Sequence, residues 1–379
     1  MSRFRLPFLS LTLVALVLAA CGDTAPSGGA SQPPTSEDPL ASAPASEPPE
    51  ESTPPTTGGD RLATVQSRGN LICGVNGSLP GFSFLDENGE TVGFDADFCR
   101  AVAAAVLGDA EAVEFRALTA DQRGPALQTG EVDVLIRNTT WTVSRDTAWG
   151  RFAPTTFYDG QAIMVHEAVG ATTLADLAGA TICVQTGTTT ELNLADATRD
   201  LDPPIEPLTF ADIDPTYQAY EEERCDAVTS DRSQLVARRT EFSDPDAHVI
   251  LDDVLSKEPL GPVAPLGDDE WFNVIKWTVF ATIEAEELGI DSTNVEDMAA
   301  TSTDPVVQRL LGVTPEGAEP FESGLGLEPD WVVDVIGQVG NYAEIYDRNL
   351  GPGTPFNLDR GLNSLWTTGE GLLYAPPYR

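Results

Sequence analysis

Lysine is nearly missing from this chain: Lys257 and Lys276 are the only ones in 379 residues. Histidine is as scarce, at His166 and His248, and basic residues number 21 against 60 acidic ones. The formal charge of -39 argues against nucleic acid or an anionic lipid surface as a partner, because both repel a chain of this sign. It names no ligand. So acidic a surface reflects solubility or a salty habitat, and one arginine in a locally shaped cleft still binds an anion.

Metal-binding spacings are also lacking. None of the five cysteines forms a Cys-x-x-Cys pair, and neither histidine lies near a cysteine, so no metal or cofactor is expected. Long apolar runs are confined to Leu6–Ala20, behind Arg3 and Arg5. That is the layout of an export signal and not of a spanning helix. Leu18-Ala19-Ala20-Cys21 resembles a bacterial lipobox, which implies cleavage before Cys21 and lipidation of that cysteine. Residues 1–20 are therefore expected to be a signal peptide and 21–60 a tether. Ala25 to Gly59 is rich in proline, serine and threonine and has no basic residue, so it buries too little to offset its ordering entropy.

The remaining length exceeds one typical core and suggests two domains. Short strands alternate with helices, which predicts an α/β design. Strands are expected at Leu71–Val75, Val132–Ile136, Phe157–Val165, Thr181–Gln185 and Ala227–Thr229, with a hairpin turn at Asn88-Gly89. Asp95 is placed to cap a helix whose Phe98, Val102, Ala105 and Val106 share a core face and which Gly108 ends. A second helix opens at Thr188, where Thr188 and Glu191 have capping-box spacing. Trp277, Phe280, Ile283 and Leu288, and then Trp331, Ile336, Val339, Tyr342 and Tyr346, recur at helical spacing and read as core.

Two strand-to-loop stretches carry the chemistry. In EVDVLIRNTTWTVSRDT, Glu131 to Thr147, an apolar strand delivers Asn138, Thr139, Thr140, Thr142 and Ser144 onto Arg145, a planar fork of donors suited to a small carboxylate. In ERCDAVTSDRSQL, Glu223 to Leu235, the layout recurs with Asp231 where the first has arginine. A free amino acid carries carboxylate and ammonium on one carbon, and burying either unpaired is costly, so its site must supply a cation and an anion. Arg145 and Asp231 fit those roles. Arg116, Arg123, Arg137 and Arg151 cannot be placed relative to a pocket from sequence.

From about Leu71 to Arg379 the chain resembles the polar amino-acid solute-binding proteins of ABC transporters, most closely the branch for general L-amino-acid uptake. The likeness rests on GVNGSLPGFS, GFDADFCRAVAAAV, RNTTWTVSRDT, VQTGTTTELN, CDAVTSDRSQL, WVVDVIGQVGNYAEIYDRNLG and LNSLWTTGEGLLYAPPYR, in that order. It implies an α/β, two-lobed periplasmic-binding-protein fold of type II, each lobe a sheet flanked by helices, with a helical C-terminal extension. Residues 61–162 and 262–379 would form the first lobe and 163–261 the second. It further implies Arg145 on the ligand α-carboxylate with Asn138 and Thr140 beside it, Thr188 and Thr189 at a helix start from the second lobe, and Asp231 on the ammonium. Asn76, Leu79 and Phe82 would line the side-chain pocket, although many relatives carry an aromatic where this chain has Leu79.

The four cysteines after Cys21 allow three pairings. Cys73–Cys99 with Cys183–Cys225 is favoured because it keeps each bridge within one expected lobe. The expected protein is a non-enzymatic, monomeric, lipid-anchored extracytoplasmic receptor that delivers L-amino acids to an ABC permease and ATPase. Two other readings share the fold: an amino-acid sensing module for a membrane receptor, and a dehydratase or murein lyase. Catalysis needs a positioned acid or base, and neither histidine falls in the matched loops.

Overall fold

Two sheets organise the chain, and both place apolar parallel strands between helices. The structure is a computed structural model that describes residues 59–379. The expected signal peptide, Cys21 and the tether as far as residue 58 lie outside the described residues. In the first sheet the strands run in the order Val113–Ala117, Leu71–Val75, Val134–Leu135, Val263–Pro265, Gly150–Phe152. The first three are parallel, and Val263–Pro265 runs against its neighbours. The second sheet repeats the plan with Glu206–Phe210, Thr181–Gln185, Ala227–Asp231, Phe157–His166 and His248–Ile250. Ser256–Leu260 also pairs with Phe157–His166, from Gln161↔Ser256 to Phe157↔Leu260.

That last pairing is the ribbon by which the chain leaves the first sheet and returns to it. Its first side chain, Phe157, packs back into the first lobe, stacked on Tyr346 and edge-on to Phe82 and Phe94. The C-terminal segment clamps the ribbon from outside. Asn363 accepts from the Tyr158 N–H at 2.7 Å and donates to its carbonyl at 3.2 Å, while the Tyr342 hydroxyl donates to the Thr156 carbonyl at 2.7 Å.

The hairpin forms as expected: Ser83–Leu85 pairs with Thr91–Val92, and Gly89 takes the left-handed conformation at φ 83°. The helix Phe94–Leu107 ends at Gly108 as expected, but its beginning corrects the sequence reading. Gly93, at φ 126°, is the capping residue, and a β-carbon there would fall 2.4 Å from the Phe82 carbonyl group. Asp95 caps nothing. It is drawn inside, where its carboxylate accepts from the Asn138 N–H at 2.7 Å. The helix is buried nearly all round, so its core face is wider than Phe98, Val102, Ala105 and Val106 alone.

The aromatic row from Trp331 is two helices, Trp331–Gln338 and Tyr342–Asn349. Gly340 at φ 98° separates them, and Asn341 caps the second, with its side chain accepting from the Glu344 N–H. Two disulfides are present, Cys73–Cys99 and Cys183–Cys225, closing 26 and 42 residues of chain. Each ties a strand of one sheet to a segment packed on that sheet.

Candidate functional site

The carboxyl ends of the parallel strands meet where the two sheets face one another, the usual place for a ligand in open α/β sheets. Strand Val134–Leu135 leads into Arg137 and Asn138. Asn138 sits at φ 30°, a conformation asparagine tolerates better than most residues. This turn carries the chain to Thr142, whose hydroxyl accepts from the Arg145 N–H at 3.3 Å and starts the short helix Val143–Ala148. The Arg145 guanidinium is thereby held inward. It donates to the Thr140 carbonyl at 3.1 Å, lies 5.0 Å from the Trp149 ring centre and is 6 % exposed.

Across the cleft, Thr181–Gln185 leads to Gly187 and the helix Thr189–Thr198. Thr188 caps it by accepting from the Glu191 N–H at 3.2 Å, whereas the Glu191 carboxylate takes the Gly187 N–H at 3.0 Å in place of that of Thr188, so only half the expected box forms. Strand Ala227–Asp231 ends on Asp231, 5 % exposed and with no side-chain hydrogen bond among the described residues. Burial and the nearby carboxylates of Asp159 and Glu258 push its pKa well up, against the pull of Arg145 and Arg123. An arriving ammonium would favour the ionised form of such a group.

Asn138, Thr140, Arg145, Thr188, Thr189 and Asp231 together line one small hollow of about 20 Å³, joined there by Arg123, Arg137, Gln185, Thr190, Ser230 and Gln234. Arg137 and Gln185 also line an adjoining chamber of about 400 Å³, of which Asn76 is a wall. Among the described residues, and apart from those on the connecting ribbon, hydrogen bonds across the cleft join Asn138 Nδ2 to Gln234 Oε1 at 3.3 Å, Arg123 Nη2 to the Gly187 carbonyl at 3.1 Å, Arg238 Nη2 to the Ser78 carbonyl at 2.5 Å, and the Thr140 and Thr189 hydroxyls at 3.3 Å.

Leu79 and Phe82 do not line either space, which corrects their expected place in the pocket wall. They are 0 % and 1 % exposed, and Phe82 fills the core against Phe94 and Phe157. A glycine-rich turn of this kind exposes backbone and Asn76 to the cleft and turns its apolar side chains inward. Of the four unplaced arginines, Arg116 and Arg151 are partly exposed and pair with Glu114 and Asp269. Arg123 and Arg137 belong to the hollow. Gln185 and Ser230 were findable from their positions at or beside strand ends, and Gln234 from lying one helical turn beyond Asp231; Arg123 carried no comparable signal.

Among the described residues no group of histidine, cysteine and carboxylate side chains is suited to a metal ion. The site is a set of charged side chains and neutral donors between two lobes, the arrangement of a solute receptor. Residues 71–351 match the bacterial extracellular solute-binding proteins, family 3, and the chain belongs to that family. It is 47 % identical over 319 residues to the general L-amino acid-binding periplasmic protein AapJ of Rhizobium johnstonii, covering 84 % of this chain and 92 % of that one. It is 45 % identical to the glutamate/glutamine/aspartate/asparagine-binding protein BztA of Rhodobacter capsulatus, covering 84 % and 93 %. A solved periplasmic binding protein from Brucella ovis with glutathione bound superposes with a TM-score of 0.80 at 47 % identity, covering 84 % of this chain and 99 % of that one.

Proposed function

We propose that the chain is an extracytoplasmic receptor for free L-amino acids that delivers them to an ABC permease and ATPase, acting as a monomer held to the membrane through lipid on Cys21. It changes no bond in its ligand. The lobes comprise residues 61–162 with 262–379, and residues 163–261. Arg145 takes the α-carboxylate, assisted by Thr140, Asn138 and the start of the helix Thr189–Thr198, while Asp231 takes the ammonium.

One observation carries this reading: a guanidinium and a carboxylate from the two sides of the cleft, both buried and neither in a protein ion pair among the described residues, line the same hollow. A buried guanidinium without a counterion is costly, and burial pushes the Asp231 carboxyl toward its neutral form; a zwitterion supplies a counterion to each at once and favours both charged forms. The relatives known for amino-acid binding support the choice of zwitterion. A hollow of about 20 Å³ has room for little more than one water-sized group, so an amino acid enters by parting the lobes at the ribbon Phe157–His166. The lobes then close through contacts made only in that state.

The test is a thermal-shift screen of the mature chain against the twenty amino acids and their des-amino analogues. Amino acids raise the melting temperature and des-amino acids do not. Equal shifts from both would remove the role of Asp231.

A further inference from the structure

Three parts of the molecule hold the connecting ribbon, and their holds divide it at one step. On the strand Phe157–His166, the Tyr158 N–H donates to Asn363 Oδ1 at 2.7 Å and the Tyr158 carbonyl accepts from Asn363 Nδ2 at 3.2 Å. Beside the strand Ser256–Leu260, the Pro259 carbonyl accepts from the Trp141 N–H at 2.8 Å and the Thr139 carbonyl from the Gly261 N–H at 3.2 Å. These holds come from the first lobe. One residue further along, each strand is held by the second. Asp159 accepts from the Ser233 N–H at 3.2 Å, and Glu258 from the Thr189 hydroxyl at 2.9 Å and the Asn193 amide at 2.8 Å. Tyr158 faces Pro259 in the ribbon and Asp159 faces Glu258, so the change of hold falls between two adjacent rungs.

We propose that Asn363 is a positioning residue for ligand capture: it fixes the first-lobe end of the ribbon, so that the lobes close by bending at the single step from the Tyr158–Pro259 rung to the Asp159–Glu258 rung. The inference rests on closure around a ligand as the mode of action. Asn363 is 4 % exposed, and its own carbonyl accepts from Arg360 Nε and Nη2 at 3.0 and 2.9 Å. Arg360 in turn grips both carboxylate oxygens of Glu286, at 2.6 and 3.0 Å, on the helix Asp269–Glu287, and lies 5.1 Å from the Tyr342 ring centre. A bidentate arginine–carboxylate pair is geometrically fixed, so the asparagine is bound to the body of the first lobe. Its amide offers Tyr158 one acceptor and one donor, as a neighbouring strand does. Without it, Tyr158 becomes a second point of bending. The open state then gains conformations that the closed state lacks, and a ligand must order them, which lowers the fraction of molecules poised to close.

Calorimetry and scattering on Asn363→Ala and on Tyr378→Phe separate positioning from stability. Tyr378 lies in the same C-terminal segment, and its hydroxyl donates to the Trp277 carbonyl at 3.0 Å and not to the ribbon. Both variants should lower the melting temperature. Asn363→Ala should bind an L-amino acid about tenfold more weakly than the wild type, the scale of ordering one residue's backbone, whereas Tyr378→Phe should stay within about twofold. Asn363→Asp keeps the acceptor and loses the donor; it should fall between the wild type and Asn363→Ala, and it carries the test if the alanine variant does not fold. Small-angle scattering without ligand should show a larger radius of gyration for Asn363→Ala than for the wild type and no change for Tyr378→Phe. Unchanged affinity or an unchanged ligand-free radius in the folded Asn363 variants, or equal losses of affinity in Asn363→Ala and Tyr378→Phe, overturn the proposal and leave Asn363 a stabilising contact. Heat from no amino acid in the wild type would instead defeat the receptor reading beneath it, and the ligand-free radii would still decide whether Asn363 restrains the ribbon.

Discussion

Gly187 approaches Asp121 so closely that a β-carbon on the glycine would stand 1.9 Å from a carboxylate oxygen, and Gly187 is itself left-handed at φ 72°. Asp121 belongs to the side of the first sheet and Gly187 to that of the second, and the Gly187 carbonyl accepts from Arg123. The glycine is therefore one place where the two sides meet with no room for a side chain. Gly187→Ala should weaken amino-acid binding by about tenfold through a less complete closure, and should cost about 1 kcal/mol of stability from the left-handed backbone. Small-angle scattering with ligand should show a larger radius than for the wild type.

The buried carboxyl of Asp95 sets a pH trend. Its folded pKa is raised to about 7 by burial, so the folded state holds this proton more tightly than the unfolded chain does. The associated stability is complete below the ordinary carboxyl range and is lost as pH rises through about 7. Asp159, raised to about 6 by burial, adds the same sign. Asp95→Asn keeps an acceptor for the Asn138 N–H and removes the titration. Denaturant melts between about pH 4.5 and 7.5 should show a flatter profile than the wild type, by on the order of 2–4 kcal/mol across the range.

How much of this could be read from the residues varies with what sets each position. The placement of Asp231 was legible because it ends a short apolar strand, and that of Arg145 because the polar loop after strand Val134–Leu135 carries it to the same hollow. The disulfides were legible once each pair fell within one lobe. Asp95 was misplaced because cap preference is local, whereas the real cap is dictated by the Phe82 backbone pressing on Gly93. Leu79 and Phe82 were misplaced for a related reason: which side of a glycine-rich turn faces the cleft depends on the core behind it. Arg123 had no local signature, since only the meeting of helix Arg123–Thr129 with the end of strand Val134–Leu135 brings it to the hollow, whereas Arg137 stands beside that strand end as Gln185 and Ser230 stand at or beside theirs.

The two disulfides should contribute similarly to stability, and neither directly to binding. Closing 26 and 42 residues corresponds to about 3 to 4 kcal/mol each on the loop-entropy model. Cys183→Ser with Cys225→Ser should lower the melting temperature, and binding below the new transition should persist, because neither cysteine lines the hollow. Cys73 is paired with Val134, three residues before Arg137, as Cys183 is paired with Val228, three residues before Asp231, so removal of Cys73 with Cys99 should likewise cost stability and leave binding below the new transition.

Asp231 offers the complementary test of the anion. Asp231→Asn retains the shape and removes the charge that an ammonium needs. Affinity for amino acids should fall by about a hundredfold or more, the scale for truncating a buried charged partner. Melting temperature without ligand should rise or hold, since the carboxylate is buried near Asp159 and Glu258, both of which repel it.

The most direct measurement is titration calorimetry of the wild type and of Arg145→Ala with a free L-amino acid at neutral pH, alongside a circular dichroism check that both are folded. Saturable binding to the wild type and none to Arg145→Ala is the predicted result. Unchanged affinity in the folded variant would contradict the assignment of Arg145 to the carboxylate, and with it the closure of two lobes around a zwitterion.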